Sequence, residues 1–168
     1  MTVGIDPDGE LAEVAAGFSL DMAVLERAHN VDAVELTLRS VTGSLQDPVV
    51  ETAVPRAAVA VQLRSTLPPG TAGRVTGRLP DVPALTGRRP LLGAEVVAVS
   101  GYDPGDRLDG WYDALLATVS AAASSAARAA NAAMDVLGGL PEVGVPHDGD
   151  AVAGVLQRIA GSLVPDRS

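Results

Sequence analysis

The residues best suited to acid–base or metal chemistry lie in two short runs far apart in the sequence. Residues 147–150, HDGD, place an imidazole beside carboxylates, the combination found in general bases and metal sites. The only other histidine, His29, precedes Asp32 by three residues. If the fold joins the two runs, a site for proton transfer or metal-assisted hydrolysis would comprise His147, His29, Asp150 and Asp32. Two histidines fall short of the three protein ligands typical of catalytic zinc, so a turn and a helix cap are the plainer interpretation.

A second group of carboxylates surrounds residues 103–113. These four aspartates are Asp103, Asp106, Asp109 and Asp113. Hard cations prefer such oxygen ligands, but the spacing does not match a calcium-binding loop. Aspartates are also favoured at the positive end of a helix, so we expect Asp106 and Asp109 to cap a helix that follows, and we predict no metal.

Positive charge is concentrated in the middle of an acidic chain. The net charge is −9, yet residues 56–94 hold six arginines and a single acidic residue. The candidates for binding an anion or a protein partner are Arg74, Arg78, Arg88 and Arg89. Guanidinium groups bind carboxylates and phosphates in a forked geometry. The same residues could instead protect an exposed sheet edge, or receive the acidic surface of a second copy.

The composition excludes several kinds of chemistry. The chain contains neither cysteine nor lysine, which removes thiolate and Schiff-base catalysis, zinc–thiolate sites and phosphate-loop lysines. We therefore predict no cofactor and favour no enzymatic activity. The net negative charge disfavours nucleic acid, and no apolar stretch is long enough to predict a membrane span. The acidic start of the chain does not resemble a secretion signal, so we expect a cytoplasmic location.

The periodicity of apolar residues changes along the chain. Residues 9–30 show helical spacing, and they predict either one kinked helix or a turn followed by a helix over 20–29. Alternating patterns predict strands over 33–41, 49–54 and 57–66, the last paired with 74–79 as an antiparallel hairpin. Residues 80–90 contain three prolines and predict a loop. Residues 91–100 are the most apolar strand, which favours the centre of the sheet.

An alanine-rich stretch predicts a long helix over residues 111–137, ended by Gly138 and Gly139, with a last helix over 150–163. A helix of that length is about 40 Å long, whereas short strands span about 20 Å, so part of it should overhang the sheet and recruit another subunit. The predicted interface on this helix comprises Leu115, Val119, Ala122, Ala126, Ala133 and Leu137.

Together these patterns predict one α+β domain over residues 1–168, with flexible ends at 1–8 and 164–168. We expect an antiparallel sheet of four to five strands, with the long helix and one or two shorter helices packed on one face. The favoured function is a non-catalytic association domain that self-assembles through the long helix. Two alternatives stay open: a small enzyme or ligand-binding protein using the histidines and aspartates in a pocket between sheet and helix, and an accessory subunit of a larger assembly.

Overall fold

A computed structural model describes residues 2–5, 8, 10–15, 19–44, 56–77, 93–112, 114–140 and 142–161. The elements, in chain order, are β1 Thr2–Ile5, β2 Leu11–Ala15, α1 Leu20–His29, α2 Ala33–Val41, β3 Ala57–Arg64, β4 Ala72–Arg74, β5 Glu95–Ser100, β6 Arg107–Asp109, β7 Leu115–Ala123, α3 Ala126–Gly138 and α4 Gly149–Gly161. All the pairs between these strands are antiparallel. The predicted α+β class with an antiparallel sheet is confirmed. β1 lies within residues 1–8, which were predicted to be a flexible end.

The strands form three sheets instead of the single larger one expected. β3, β7 and β5 form a three-stranded sheet in that order, and β1–β2 and β4–β6 are two-stranded. The strand predicted over 91–100 is the shorter β5, and it lies at an edge, because β7 takes the centre. The predicted hairpin between 57–66 and 74–79 is wrong, since β3 pairs with β7 while β4 pairs with β6.

The long helix predicted over 111–137 is wrong in its first half. Leu115–Ala123 is the central strand β7, hydrogen-bonded to a neighbour on each side. After a bend at Ser124, Ser125 caps α3, and its hydroxyl accepts the main-chain N–H of Arg128 at 3.3 Å. Because most of β7 is buried on both faces, its sequence lacks the polar alternation that marks a half-buried strand. The overhang that argued for a second subunit therefore does not exist.

The strand predicted over residues 33–41 is also wrong, because these residues form helix α2. Asp32 is the residue that caps it, accepting the main-chain N–H of Glu35 at 2.8 Å. The carboxylate of Glu26, on α1, accepts the N–H of Ala33 at 3.0 Å and ties the two helices together. An aspartate followed three residues later by a glutamate indicates the start of a helix. This signal conflicts with the alternation of apolar and polar residues from Val34 onwards, which predicted a strand.

Other elements agree with the sequence. α1 matches the helix over 20–29 of the second alternative, although residues 11–15, which were expected to be helix or turn, form strand β2. β3 covers most of 57–66, and α4 lies close to the predicted 150–163. α3 ends at Gly138, as expected. The predicted strand over 49–54 and the predicted loop over 80–90 lie outside the described residues. None of the helices in the described ranges is long and apolar enough to cross a membrane.

The first hydrophobic core lies between the three-stranded sheet and the helices α3 and α4. α3 contributes mainly alanines, and these small side chains allow its backbone to approach the strands closely. Leu156 of α4 is fully buried in this core. On the other face of β7, Ser120 and Ala122 are also buried. Helix α1 contacts β3 and β7 but contributes no residue to the first core, so it lies on this other face. The helices thus cover both faces of the sheet instead of one.

A second core joins the end of β3 to the β4–β6 pair and the segment before α4. Its buried apolar residues are Leu63, Val75, Leu108, Ala114, Leu116, Ala117, Val143 and Val145. This core fixes the position of the β4–β6 pair relative to the main sheet. It also holds the chain around residues 143–147 against the end of β3.

Candidate functional site

His147 and Asp148 form a corner that joins the end of β3 to the start of α4. The main-chain N–H of Arg64 donates to Oδ1 of Asp148 at 2.8 Å, and the N–H of Asp148 donates to the carbonyl of Arg64 at 3.1 Å. His147 forms an isolated β-bridge with Ser65, and its Nδ1 accepts the N–H of Gly149 at 3.1 Å. A ring whose Nδ1 accepts a hydrogen bond carries its proton on Nε2 when neutral. These bonds hold the corner together.

The two histidines do not share a site. His29 ends α1 beside Ala28, whose carbonyl accepts the N–H of Arg56 at 3.0 Å, just before β3 begins. His147 pairs with Ser65, just after β3 ends. A strand rises about 3.3 Å per residue, so the two ends of this eight-residue strand are roughly 25 Å apart.

The candidate aspartates make local contacts with the main chain. Asp32 caps α2, and Asp150 is exposed in the first turn of α4. The expected role of Asp106 and Asp109 as helix caps is wrong, because both lie in or beside β6, where Asp106 accepts the N–H of Asp103 at 2.8 Å. Asp113 lies outside the described residues. Within the described part of the chain, no group of three His, Asp or Glu side chains could hold a metal ion.

Of the four candidate arginines, the structure describes Arg74. It lies on β4, directly opposite Arg107 of β6, and both side chains are exposed. One guanidinium nitrogen of Arg74 donates to the carbonyl of Gly105, which orients the side chain. Like charges on opposite residues of two strands repel each other. An anionic ligand or partner would relieve that repulsion. Arg78, Arg88 and Arg89 lie outside the described residues.

Two exposed aromatic residues follow β6. Trp111 and Tyr112 are 71% and 79% exposed, and Trp111 lies over the turn at Gly70. Arg74 and Arg107 lie on the β4–β6 pair and the two aromatic residues directly after it, and we call these four residues the ribbon surface. Tryptophan, tyrosine and arginine are the residue types most enriched among those that dominate binding energy in interfaces. The sequence analysis missed Arg107 because the pairing of β4 with β6 is long-range. It missed the aromatic pair because it placed both residues at the start of the predicted long helix.

The residues predicted to form an intersubunit interface are mostly interior. Leu115, Val119 and Ala122 belong to β7, whereas Ala126, Ala133 and Leu137 belong to α3. Leu115 and Ala126 are half-buried, and the other four are buried. Their apolar surface is used by the chain's own core, so they cannot form the predicted docking face.

A different helix presents an exposed apolar face. On α2, Val34, Leu38 and Val41 are 49%, 61% and 82% exposed. Their spacing of four and three residues aligns them along one side of the helix, and we call them the α2 stripe. Sequence reasoning missed this face because it treated residues 33–41 as a strand.

The fold resembles that of biotin carboxylase domains. It superposes on the biotin carboxylase domain of a single-chain bacterial carboxylase with a TM-score of 0.65 and 19% identity, over 94% of this chain and 37% of that one. The biotin carboxylase domain dimer of Hydrogenobacter thermophilus 2-oxoglutarate carboxylase, solved with MgADP, ADP and bicarbonate, gives 0.65 and 15%, over 92% and 34%. Biotin carboxylase from Campylobacter jejuni, solved with β-γ-ATP, gives 0.68 and 14%, over 92% and 34%.

The chain thus spans about a third of the length of the solved proteins that it matches. No protein-family model matches its sequence, and no curated protein is significantly similar to it. At these identities the likeness shows the fold. The prediction of a non-catalytic domain that self-assembles through a long helix is wrong, because that helix is partly a strand and the fold is one found in carboxylase enzymes.

Proposed function

We propose that this chain contributes one part of an enzyme of the biotin carboxylase type, corresponding to about a third of such a domain. The observation that carries this proposal is the superposition of 92–94% of the chain on about a third of several biotin carboxylase domains. A fit over nearly the whole chain supports a shared architecture, because a single common motif would cover only a portion of it.

The side chains of the described residues determine which part of the chemistry we assign to this chain. The matched proteins were solved with ADP, a form of ATP or bicarbonate, all of which are anions. Within the described residues, no group of three His, Asp or Glu side chains could hold a metal ion. We assign the binding of magnesium and nucleotide to the remainder of the enzyme. The contribution of this chain is the ribbon surface, where Arg74 and Arg107 provide paired guanidinium groups for an anion or an acidic partner.

Homo-oligomerisation and membership of a larger assembly are part of the same proposal. The Hydrogenobacter thermophilus domain was solved as a dimer, and another match is a single-chain, multi-domain long-chain acyl-CoA carboxylase. We propose that this chain works within an assembly of this kind.

The experiment is to purify the tagged chain from the organism that encodes it and to identify bound proteins by mass spectrometry. The purified material is then assayed for ADP released from ATP in the presence of free biotin, with and without bicarbonate. We expect further biotin carboxylase sequence in the purified material, on the same polypeptide or on a bound partner, and bicarbonate-dependent release of ADP. Purified material that lacks both would overturn the proposal.

Paired variants test the ribbon surface in the same assay. Arg74→Ala and Arg107→Ala should each lower the bicarbonate-dependent rate or raise the KM for an anionic substrate by about tenfold, the loss expected for one charge-assisted contact. Arg158→Ala removes an exposed arginine from α4 and should leave the rate unchanged. Equal rates in all three variants would remove the ribbon surface from the proposal.

A further inference from the structure

We propose that the ribbon surface, together with the three aspartates beside it, pairs with the same surface of a second copy of this chain in a two-fold symmetric dimer. This inference rests on the proposed function, which includes homo-oligomerisation, and it names the surface responsible. In a two-fold interface the same patch is used by both copies, so a residue that contacts a second residue across the axis is matched by the reverse contact. Such a patch must be complementary to itself.

The β4–β6 pair places charges of both signs on one exposed face. Leu108 is buried, so its neighbours Arg107 and Asp109 point to the opposite side of β6. Arg74 lies opposite Arg107 and shares that side. Asp103 lies in the turn that leads into β6. These four charged residues are all exposed.

The charges on this face do not neutralise one another within one chain. The carboxylate of Asp106 accepts the main-chain N–H of Asp103 at 2.8 Å. The carboxylate of Asp109 accepts the N–H of Trp111 at 3.2 Å. The side chains of Arg107 and Asp103 form neither an ion pair nor a hydrogen bond with any residue that the structure describes. Both are therefore available to a second molecule.

The mixture of signs favours a second copy over a small anion. Two guanidinium groups attract an anion, but three carboxylates beside them repel it. A uniformly acidic protein would meet the same repulsion, because like charges facing each other across an interface are unfavourable. A copy rotated by half a turn instead brings guanidinium groups of one chain against carboxylates of the other. Symmetry forms each such contact twice.

Trp111 and Tyr112 supply the apolar part of the interface. They are 71% and 79% exposed, and buried aromatic side chains contribute strongly to binding. Six residues of 68–74 and eight of 103–112 are exposed. Each partner of a standard interface contributes about 20–30 residues, so this smaller surface predicts a dimer that dissociates in the micromolar range.

The test is sedimentation equilibrium of the purified chain over a range of concentrations, at low and at high salt. We expect a monomer–dimer equilibrium that salt weakens, because exposed ion pairs are screened. Arg107→Asp and Asp103→Arg should each weaken dimerisation by about tenfold or more, because each turns an attractive contact into a repulsive one at two symmetric places. An equimolar mixture of the two variants should dimerise within about threefold of wild type, since each reversed charge then meets its opposite across the axis.

The control is Arg158→Asp, which reverses an exposed arginine on α4 and should leave dimerisation unchanged. A wild-type chain that stays monomeric at every concentration would overturn the inference. A mixture that dimerises no better than either variant alone would also overturn it, because the two charges would then not meet across an axis. Bicarbonate-dependent release of ADP tests the proposed function separately, so the failure of one is distinguishable from the failure of the other.

A variant that fails to fold is recognised by its far-ultraviolet circular dichroism. In that event, acrylamide quenching of Trp111, the single tryptophan, decides the matter in the wild-type chain. Quenching that becomes weaker as the protein concentration rises supports the inference, because the dimer would shield this side chain. Quenching that is independent of concentration refutes it.

Discussion

Replacing Gly110 with alanine tests a close approach between two segments of backbone. A Cβ atom placed on Gly110 would lie 1.9 Å from the carbonyl oxygen of Pro68 and 2.9 Å from that of Leu67, whereas real Cβ atoms stay at least 3.0 Å from such neighbours. The two segments would have to separate by about 1 Å. That movement would strain the hydrogen bond from the Gly110 N–H to the carbonyl of Thr71, which is 2.9 Å long. Overpacking and a lost hydrogen bond together should cost about 2–4 kcal/mol.

The matched control is the same substitution at Gly154, in the middle of α4. No atom lies within 4 Å of a Cβ placed there, and alanine is a better helix former than glycine. Gly154→Ala should therefore stabilise the protein by up to about 1 kcal/mol. Neither glycine has a positive φ, so the two variants differ in the surrounding space and in the local secondary structure.

Thermal unfolding measures both effects. A difference of 1 kcal/mol shifts the Tm of a chain of this size by about 2–4 °C, so Gly110→Ala should lower the Tm by about 4–16 °C and Gly154→Ala should raise it slightly. Fluorescence of Trp111, the single tryptophan, reports movement beside Gly110. If Gly110→Ala unfolds at the wild-type temperature, the turn at Pro68 does not touch this strand end and the position assigned to the ribbon surface is incorrect.

Three further substitutions test the cores and the corner at the end of β3. Leu156→Ala should reduce the unfolding free energy by about 2–5 kcal/mol in urea titration, whereas Val155→Ala, its exposed neighbour, should change it by less than about 0.5–1 kcal/mol. Asp148→Ala should destabilise by about 1–3 kcal/mol, because the N–H of Arg64 loses its acceptor, and a Tm equal to the wild type would contradict that role. Ser120→Ala should be neutral or stabilising by up to about 1 kcal/mol, since this buried hydroxyl has no hydrogen-bond partner among the described residues, and a clear loss of stability would show that a partner exists.

The alanine-rich stretch shows why part of the fold could not be read from the sequence. Alanine has the highest helix propensity, and a helix was the natural prediction for a run that contains Ala121, Ala122 and Ala123. These residues instead form the end of the central strand, where they pair with β3 and β5. Small side chains suit that position because layers on both faces can approach closely. Tertiary packing decides the outcome here, and local propensity carries no information about it.

The prediction of a strand over residues 33–41 was wrong for a different reason. Val34, Leu36 and Leu38 alternate with polar residues as in a strand, yet Val34, Leu38 and Val41 also fit helical spacing. The capping aspartate at Asp32 decides between the two patterns, and that signal was available in the sequence. The elements β3 and α4 were correctly predicted, and α1 matches one of the two alternatives left open for residues 9–30. The ribbon surface depends on the pairing of β4 with β6 and required the structure.

Helix α2 has a single buried residue, so local interactions must supply most of its stability. A nine-residue helix is marginal by itself in water. The Asp32 cap and the Glu35–Arg39 ion pair contribute about 1 kcal/mol and a few tenths of a kcal/mol respectively. Fixing one backbone residue costs about 1–2 kcal/mol, so these local bonds do not offset the ordering of the helix. Residues 33–41 should therefore open more readily than α3, which has five buried residues and packs on the sheet. Amide hydrogen exchange should be faster in α2 than in α3, and equal protection of the two helices would contradict this reasoning.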